Sequence, residues 1–380
     1  MLLKNMKKVS GIKKISKIKH LQIRDEIKEK HINVNKTIAH ESQSITEGVN
    51  NEIDPKDIRV LFMGTGVFAG NILLKIKEWV NLKKMYIITQ PDKKIGRKKS
   101  SIHRTLAPNP VRDFAKDNNI NLLQPTKLND DIITKIEELQ PDIIIVSAYG
   151  RILPKEILQI PSFGSINIHA SLLPNLRGAS PVQNALLIGL KETGVTIMKM
   201  DEGLDTGDII VQEKTKIQEH EKADRLLERL SKIGGTLLNS NITDWINNNI
   251  TTITQDDSKA TICQLIDRED GHIQWTQTTN EIYNRYRALF PWPGIFSYWE
   301  ETENQLIRIK LRAIYPFKNK LTDEQQQLLP GTVFIGHDQL CIKTFDTAVI
   351  VEAVQPECKT VMPVYDFLNG HNTFEGAVLK

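Results

Sequence analysis

Short apolar runs alternate with amphipathic helical segments between residues 58 and 248, and this alternation constrains the fold more than any other feature. The run PDIIIVSAYG at 141–150 is typical, because four consecutive apolar residues lie between a proline and a glycine. Strands this apolar are buried on both faces, which favours a mostly parallel sheet covered by helices on each side. We therefore predict a Rossmann-like α/β fold for this part of the chain.

The remaining patterns in this region are consistent with the same fold. Strand patterns lie at 58–64, 84–89, 141–150, 164–171 and 194–200, and helical patterns lie at 67–80, 128–140, 181–187 and 220–248. In the last helix the apolar residues recur at helical spacing, as expected of a helix with one packed face. These segments define a predicted first domain at 56–248.

The composition changes after Trp245. The stretch NNNITTITQDDSKAT has no periodicity, so we predict a linker at 249–268. A helical pattern follows at 282–289, and then four short alternating runs at 306–315, 331–336, 340–345 and 348–354. Such spacing is typical of a small all-β domain, so residues 269–380 are predicted to form a β-barrel.

Residues 1–55 differ from the rest of the chain. The first twenty carry seven lysines and no acid, and they lack the apolar core of a secretory signal. Two interpretations stay open, a mitochondrial presequence and a disordered basic extension. The expected location is correspondingly the bacterial cytoplasm or, if the segment is a presequence, the mitochondrial matrix.

Several classes of protein are disfavoured by what the sequence lacks. No apolar stretch approaches the roughly 18 residues of a membrane span. Cys263, Cys341 and Cys358 are far apart and odd in number, which favours a reducing compartment and no disulfide framework. The nine histidines form no paired metal-ligand pattern. We expect a monomer that binds neither a metal nor a membrane.

One basic cluster raises the question of a nucleic-acid partner. The net charge of +4 does not by itself indicate one, but KKIGRKK at 93–99 places five basic residues in seven positions. Such a cluster is either a solvated loop or a contact for a polyanion. The residues alone leave both open.

The strand GSINIHAS at 164–171 carries the strongest chemical signal. Asn167 and His169 lie two apart and therefore project from the same face of a strand, while Ile166 and Ile168 point into the core. Polar side chains near the carboxyl end of such a strand lie where open α/β sheets bind ligands. An amide that donates to an oxyanion and an imidazole that moves a proton suit acyl transfer. The alternative is a pair of buried polar groups satisfied by the backbone.

A carboxylate that could join this pair lies in MDEGLDTGD at 200–208. The segment permits three interpretations: a metal site, an exposed acidic turn, or one carboxylate that faces Asn167 and His169. In the third, Asp205 would orient the imidazole and favour its protonated form. The turn GTGVFAG at 64–70 also permits a dinucleotide site, but its spacing is GxGxxxG and the second strand ends in Thr89-Gln90 rather than an acid.

Three groups of motifs resemble one enzyme family. NIHASLLPNLRGASP at 167–181, preceded by SAYGRILPKEIL and followed by TGVTIMKMDEGLDTGD, resembles the domain of formyltransferases that use 10-formyltetrahydrofolate. TQPDKKIGRKK at 89–99 resembles the basic loop of the methionyl-tRNA branch of that family. RALFPWPG at 287–294 and VQPECKTVMPVYDFLNG at 354–370 resemble the C-terminal β domain of the same branch. The motifs follow the family's order over about residues 58–380.

The resemblance implies a function and a set of site residues. The donor would be 10-formyltetrahydrofolate, and the acceptor would be the α-amino group of methionine on charged initiator tRNA, for translation initiation. The matching catalytic residues are Asn167, His169 and Asp205. The matching folate contact is the SLLP turn, and the matching tRNA contacts lie in the basic loop. The C-terminal domain would be an OB-like barrel that also holds tRNA. By residue, these two sets are Ser171, Leu172, Leu173 and Pro174 for folate and Arg97, Lys98 and Lys99 for tRNA.

Other functions stay open, and the chain departs from the family pattern at three positions. The acceptor could instead be an amino sugar nucleotide, glycinamide ribonucleotide or water, and an oxidoreductase or a non-catalytic RNA-binding protein are further alternatives. The chain has Gly66 where the family commonly has proline, and Ala170 and Cys358 where it commonly has glycine. If position 358 requires a positive φ, cysteine would strain that turn. The role of Arg177, in substrate binding or in pinning its loop, is open.

Overall fold

The computed structural model describes residues 52–92, 94–95, 105–106, 109–303 and 305–380. The predicted tRNA contacts Arg97, Lys98 and Lys99, and nearly all of the N-terminal extension, therefore lie outside the described residues. Residues 53–380 form one compact unit.

A seven-stranded sheet organises the first part of this unit, in the order β10-β9-β7-β6-β1-β2-β5. Its strands are β1 (Val60–Gly64), β2 (Met85–Ile88), β5 (Asn121–Leu123), β6 (Ile143–Ser147), β7 (Ser165–His169), β9 (Glu192–Lys199) and β10 (Ile209–Lys216). The five strands from β5 to β7 are parallel, whereas β9 and β10 are antiparallel to their neighbours. The prediction of a mostly parallel sheet is therefore confirmed.

Helices cover both faces of this sheet. They are α1 (Gly66–Ile76), α2 (Pro110–Asp117), α3 (Asp130–Leu139), α4 (Lys155–Leu158), α5 (Pro181–Leu187) and α6 (Ala223–Ile246). Side chains alternate along β1, so Val60 and Phe62 join the core under α1, α2 and α6. Leu61 and Met63 point the other way and pack with residues of α3 and α4. Burial on both faces explains why β1 and β6 are uninterrupted apolar runs.

Two pairs of very short strands lie outside the main sheet. Strands β3 (Lys94–Ile95) and β4 (Thr105–Leu106) pair with each other between β2 and β5. Strand β8 (Arg177–Gly178) pairs in parallel with β11 (Ile262–Cys263), which lies inside the predicted linker. The linker is thus hydrogen-bonded to the segment that follows β7.

The second part of the chain, for which a small all-β domain was predicted, is an antiparallel β-sheet. Its order is β12-β13-β16-β15-β14, with β17 paired to β16. The strands are β12 (Ile295–Thr302), β13 (Gln305–Pro316), β14 (Val333–Gly336), β15 (Gln339–Lys343), β16 (Ala348–Pro356) and β17 (Met362–Pro363), and the helices are α7 (Thr279–Ala288), α8 (Asp323–Gln326) and α9 (Val364–Leu368).

The last residues of the chain join the two ends of this sheet. Lys380 exchanges two backbone hydrogen bonds of 2.8 Å with Tyr298 of β12. At the other end, Val333 of β14 donates to Ala377 at 2.9 Å and accepts from Gly376 at 2.8 Å. Both edge strands are therefore paired, as in a closed barrel.

Cys358 occupies a strained turn after β16. Its φ is 61°, in the left-handed region, and its side chain is exposed. We expect Cys358→Gly to raise the free energy of unfolding by about 0.5–1 kcal/mol, because glycine removes the clash of Cβ with the backbone but is freer in the unfolded chain. Urea denaturation measures this gain. Cys358→Ala is the control, since it removes the thiol and keeps Cβ; an equal gain in that variant would contradict the backbone explanation.

Candidate active site

Asn167, His169 and Asp205 meet at the carboxyl end of β7. Asn167 and His169 are both buried, and both face the carboxylate of Asp205. The Nδ2 of Asn167 donates to Asp205 Oδ1 at 3.2 Å. The Nδ1 of His169 lies 3.6 Å from Asp205 Oδ2. The structure therefore joins the pair on the strand to the acidic segment that follows β9.

The imidazole of His169 is held from its other side by the backbone. Its Nε2 lies 2.9 Å from the carbonyl oxygen of Leu176, so Nε2 must be the donor in that contact. Nδ1 then faces a carboxylate oxygen of Asp205, so the ring is oriented from both of its sides.

Asp205 lies in the aspartate loop (residues 200–208), and its own backbone is left-handed. Its φ is 56°, a conformation that non-glycine residues seldom adopt. Besides the contact with Asn167, its Oδ2 accepts a 2.8 Å hydrogen bond from the backbone N–H of Gly178. Backbone strain of this kind is common at functional sites, where surrounding contacts hold it.

Gly178 belongs to the arginine turn (Leu176–Gly178), which touches both His169 and Asp205. Its φ is 111°, and a Cβ at this position would lie 2.5 Å from the carbonyl oxygen of Cys263. Only glycine therefore brings this backbone N–H close to Asp205 while β8 and β11 stay paired.

Arg177, in the same turn, points into the linker (residues 249–268). Its Nε and Nη2 donate to Gln255 Oε1 at 3.1 and 2.8 Å, and Nη2 also donates to Asp257 at 2.8 Å. The guanidinium is buried by these contacts. Of the two roles considered for Arg177, the structure supports the one in which it pins the turn.

The SLLP turn lies between β7 and the arginine turn. The hydroxyl of Ser171 donates to the carbonyl of Asn175 at 2.6 Å, and Leu173 is buried against Met198 and Ile209. The Oγ1 of Thr196 donates to the Ser171 carbonyl at 2.7 Å and accepts from Leu173 N–H at 3.1 Å. Leu172 and Pro174 are only partly buried and are the side chains of the turn most open to a ligand.

Cys263 lies under the arginine turn. Its thiol donates to the carbonyl of Arg177 at 3.1 Å. Burial raises the pKa of this thiol, and the nearby Asp205 carboxylate adds to the rise. Cys263 is therefore a protonated packing residue and not a nucleophile.

The first turn of the sheet is shaped by a left-handed glycine and by the hydroxyl group of Thr65. Gly66 has a φ of 79°, which proline, with φ near −65°, cannot adopt, so this turn differs from one that contains proline. The Oγ1 of Thr65 contacts Thr89 Oγ1 at 3.2 Å and accepts from Gln90 N–H at 3.2 Å. The end of β2 is thereby tied to the turn by hydroxyl groups.

Two further observations concern the described part of the chain. No helix within it is both long and apolar enough to cross a membrane. Among the same residues, no three His, Cys, Asp or Glu side chains are grouped so that they could hold a metal ion.

The sheet order, the Asn–His–Asp cluster and two family models together define the class of protein. A model described as formyl transferase matches residues 56–242, and one described as the C-terminal domain of formyl transferase matches residues 265–372. The methionyl-tRNA formyltransferase of Caldicellulosiruptor saccharolyticus is 40% identical over 324 residues, which cover 84% of this chain and 99% of that protein. That of Listeria welshimeri is 38% identical over 82% of this chain and 95% of that protein. The chain belongs to the methionyl-tRNA formyltransferase family. The oxidoreductase alternative is thereby set aside.

Solved structures with low sequence identity share the fold. An N-formyltransferase from Helicobacter canadensis, in complex with folinic acid and dTDP-3-aminofucose, has a TM-score of 0.55 at 20% identity, covering 77% of this chain and 98% of that chain. HypX from Aquifex aeolicus, in complex with tetrahydrofolic acid, has a TM-score of 0.55 at 15% identity, covering 84% of this chain and 48% of that chain. At these identities the likeness concerns the fold alone.

Several groups in this site have no signal in the sequence. The Leu176 carbonyl and the Gly178 N–H are backbone groups, which no pattern of side chains reveals. Gln255 lies in a segment without periodicity, and Gln212, whose amide donates to Thr196 Oγ1 at 2.8 Å, lies on the strand β10 that the sequence patterns missed.

Proposed function

We propose that this protein transfers the formyl group of 10-formyltetrahydrofolate to the α-amino group of methionine on charged initiator tRNA. The observation that carries the proposal is the Asn167–Asp205–His169 cluster at the carboxyl end of β7, in a chain that matches methionyl-tRNA formyltransferases over nearly their whole length. In the reaction a C–N bond to the methionine nitrogen forms and the C–N bond to N10 of the folate breaks, while the amine loses one proton and N10 gains one.

Asn167 is proposed as the main oxyanion donor. Its Nδ2 carries two hydrogens, and one is used in the 3.2 Å contact with Asp205. The other is available to the formyl oxygen as that oxygen gains negative charge in the tetrahedral transition state. An amide whose position is fixed beforehand stabilises this charge without reorganisation.

His169 and Asp205 are proposed to act as a charged pair. The 3.6 Å between His169 Nδ1 and Asp205 Oδ2 is too long for a strong hydrogen bond, so a proton on Nδ1 would be available to a substrate oxygen. Asp205 orients the ring, and its carboxylate assists removal of the amine proton. The Leu176 carbonyl fixes the opposite side of the ring.

The SLLP turn is proposed to contact the folate. The Ser171 hydroxyl donates to the Asn175 carbonyl, and the Leu173 side chain packs against Met198 and Ile209, so the side chains of these two residues already have partners. Leu172 and Pro174 would supply apolar side-chain surface to the folate rings.

The basic loop is proposed to meet the acceptor end of the tRNA. Asp92, in its first part, is fixed to the neighbouring helix α2 by an ion pair of 3.0 Å with Arg112. Gln124 Nε2 also donates to Asp92 at 3.1 Å. Burial tends to raise the pKa of Asp92, but these hydrogen bonds and Arg112 outweigh it and lower the pKa, so the pair stays charged. The enzyme is further proposed to act as a monomer in the bacterial cytoplasm.

We expect Arg97→Ala to raise the KM for methionyl-tRNA about tenfold and to leave kcat nearly unchanged, because one contact to the polyanionic acceptor end is lost. Steady-state kinetics at fixed salt measure both constants. Lys135→Ala, which removes an exposed lysine of α3, is the matched control and should keep the wild-type KM. Unchanged tRNA kinetics in Arg97→Ala would show that the loop assignment is wrong.

The acceptor is tested by offering two substrates with the same formyl donor. Charged initiator methionyl-tRNA should be formylated, while a dTDP-linked amino sugar should not be. Uncharged initiator tRNA is the control for the amino group itself. Formylation of the amino sugar alone would replace the tRNA acceptor by a sugar nucleotide, and formylation of neither would overturn the proposed function.

A further inference from the structure

We propose that Gln255, in the linker (residues 249–268), is a positioning residue for formyl transfer, an inference that rests on the proposed function. It fixes the aspartate loop relative to the arginine turn, and so sets the geometry of Asp205 and His169. Although the linker shows no sequence periodicity, this side chain is only 8% exposed.

The amide of Gln255 bridges the two segments with all of its hydrogen-bonding capacity. Its Nε2 donates to the carbonyl oxygens of Asp205 at 2.9 Å and Gly207 at 2.6 Å. Its Oε1 accepts from both Nε and Nη2 of Arg177, at 3.1 and 2.8 Å. An amide with two donors and two acceptor positions is thereby fully satisfied.

Each end of this bridge leads to a group of the proposed site. On one side the bond to the Asp205 carbonyl holds a residue whose φ of 56° is unfavourable without support. On the other side Arg177 stands between Leu176, whose carbonyl holds His169, and Gly178, whose N–H holds the Asp205 carboxylate. Displacement of either segment would separate His169 from Asp205.

Neighbouring linker residues reinforce the same connection. Thr261 Oγ1 accepts from the N–H of Leu176 at 2.8 Å, and the Thr261 carbonyl accepts from the N–H of Arg177 at 2.8 Å. Ile253 exchanges two backbone hydrogen bonds of 2.8 Å with Ile209, just after the aspartate loop. Gln255 adds a side chain that bonds to both of these segments at once.

The test replaces the Gln255 amide while keeping its size. In Gln255→Glu the carboxylate can still accept from Arg177 but cannot donate to the Asp205 and Gly207 carbonyls. We expect the single-turnover rate constant, and with it kcat, to fall about tenfold to a hundredfold, because small displacements of reacting groups slow the reaction strongly. The KM values for donor and tRNA should stay near wild type, since the side chain of Gln255 is buried and its amide is used by protein groups. Gln264→Glu makes the same change at an exposed position of the linker and is the matched control.

A double-mutant cycle separates positioning from general structural support. If Gln255 acts through Asp205, then Gln255→Glu should lower the residual single-turnover rate of Asp205→Asn by less than about twofold. A purely structural role would instead lower both rates by the same factor. That equal factor, or a wild-type kcat in folded Gln255→Glu, would overturn the proposal.

Folding is checked by circular dichroism and thermal unfolding. If Gln255→Glu does not fold, Gln255→Met carries the same expectation, because it preserves length and adds no buried charge. Failure of both variants to fold would also overturn the proposal, since Gln255 would then serve folding rather than site geometry. Inactivity of the wild-type protein with methionyl-tRNA is a different outcome, which counts against the proposed function itself.

Discussion

Asp205→Asn is expected to lower kcat by about 10³–10⁴-fold, the scale seen when a carboxylate that orients a catalytic histidine becomes an amide. Asp205 accepts from Asn167 through one oxygen and from the N–H of Gly178 through the other. An asparagine has the same shape, but its NH₂ would face one of these donors. The variant also removes the negative charge beside His169.

Binding measurements distinguish this loss from a general defect. Affinity for methionyl-tRNA, measured by gel shift, should remain near wild type in Asp205→Asn. Glu202→Gln is the control, because it neutralises an exposed acid of the same loop whose partner, Lys155, is also exposed. A kcat within tenfold of wild type in Asp205→Asn would remove Asp205 from the proposed mechanism.

Asn167→Ala is expected to lower kcat by about 10²–10³-fold, as the loss of an oxyanion donor does in other enzymes. The substitution removes the hydrogen available to the substrate oxygen and also one partner of the Asp205 carboxylate. Because the main effect falls on the transition state, the affinity for folinic acid, a formyl folate used here as a probe, should change much less. Rapid-quench kinetics and equilibrium titration measure the two quantities.

The control for this variant removes an amide from a surface that the site does not use. Asn241→Ala, on α6, should change kcat by less than about twofold. If Asn167→Ala instead weakens folinic acid binding as much as it lowers kcat, Asn167 serves ground-state binding and not the oxyanion.

Much of the site could be predicted from the sequence, because strand periodicity is a local property. Asn167 and His169 lie two apart on a buried strand, so their shared face follows from the pleat alone. The five apolar strand patterns of the first domain all correspond to strands of the sheet. Asp205 could only be offered as one of three interpretations, since its approach depends on how the aspartate loop folds back.

The parts that the sequence did not predict are those set by tertiary hydrogen bonds. Strand β10 is half exposed and carries the polar run QEKTK, so it lacks the apolar pattern of the inner strands. The 249–268 segment was interpreted only as a linker, because Gln255 and Thr261 become informative once their partners in other segments are known. The left-handed backbone of Asp205 likewise could not be predicted from the sequence.

The formyl transfer itself is tested by following the formyl carbon. The protein is incubated with 10-formyltetrahydrofolate labelled in the formyl carbon and with charged initiator methionyl-tRNA, and the amino acid is then released by mild base and identified by mass spectrometry. The expected product is labelled N-formylmethionine, which requires both substrates and is lost in Asp205→Asn. Unlabelled methionine alone, while the Caldicellulosiruptor saccharolyticus enzyme transfers the label in parallel, would contradict the proposed function.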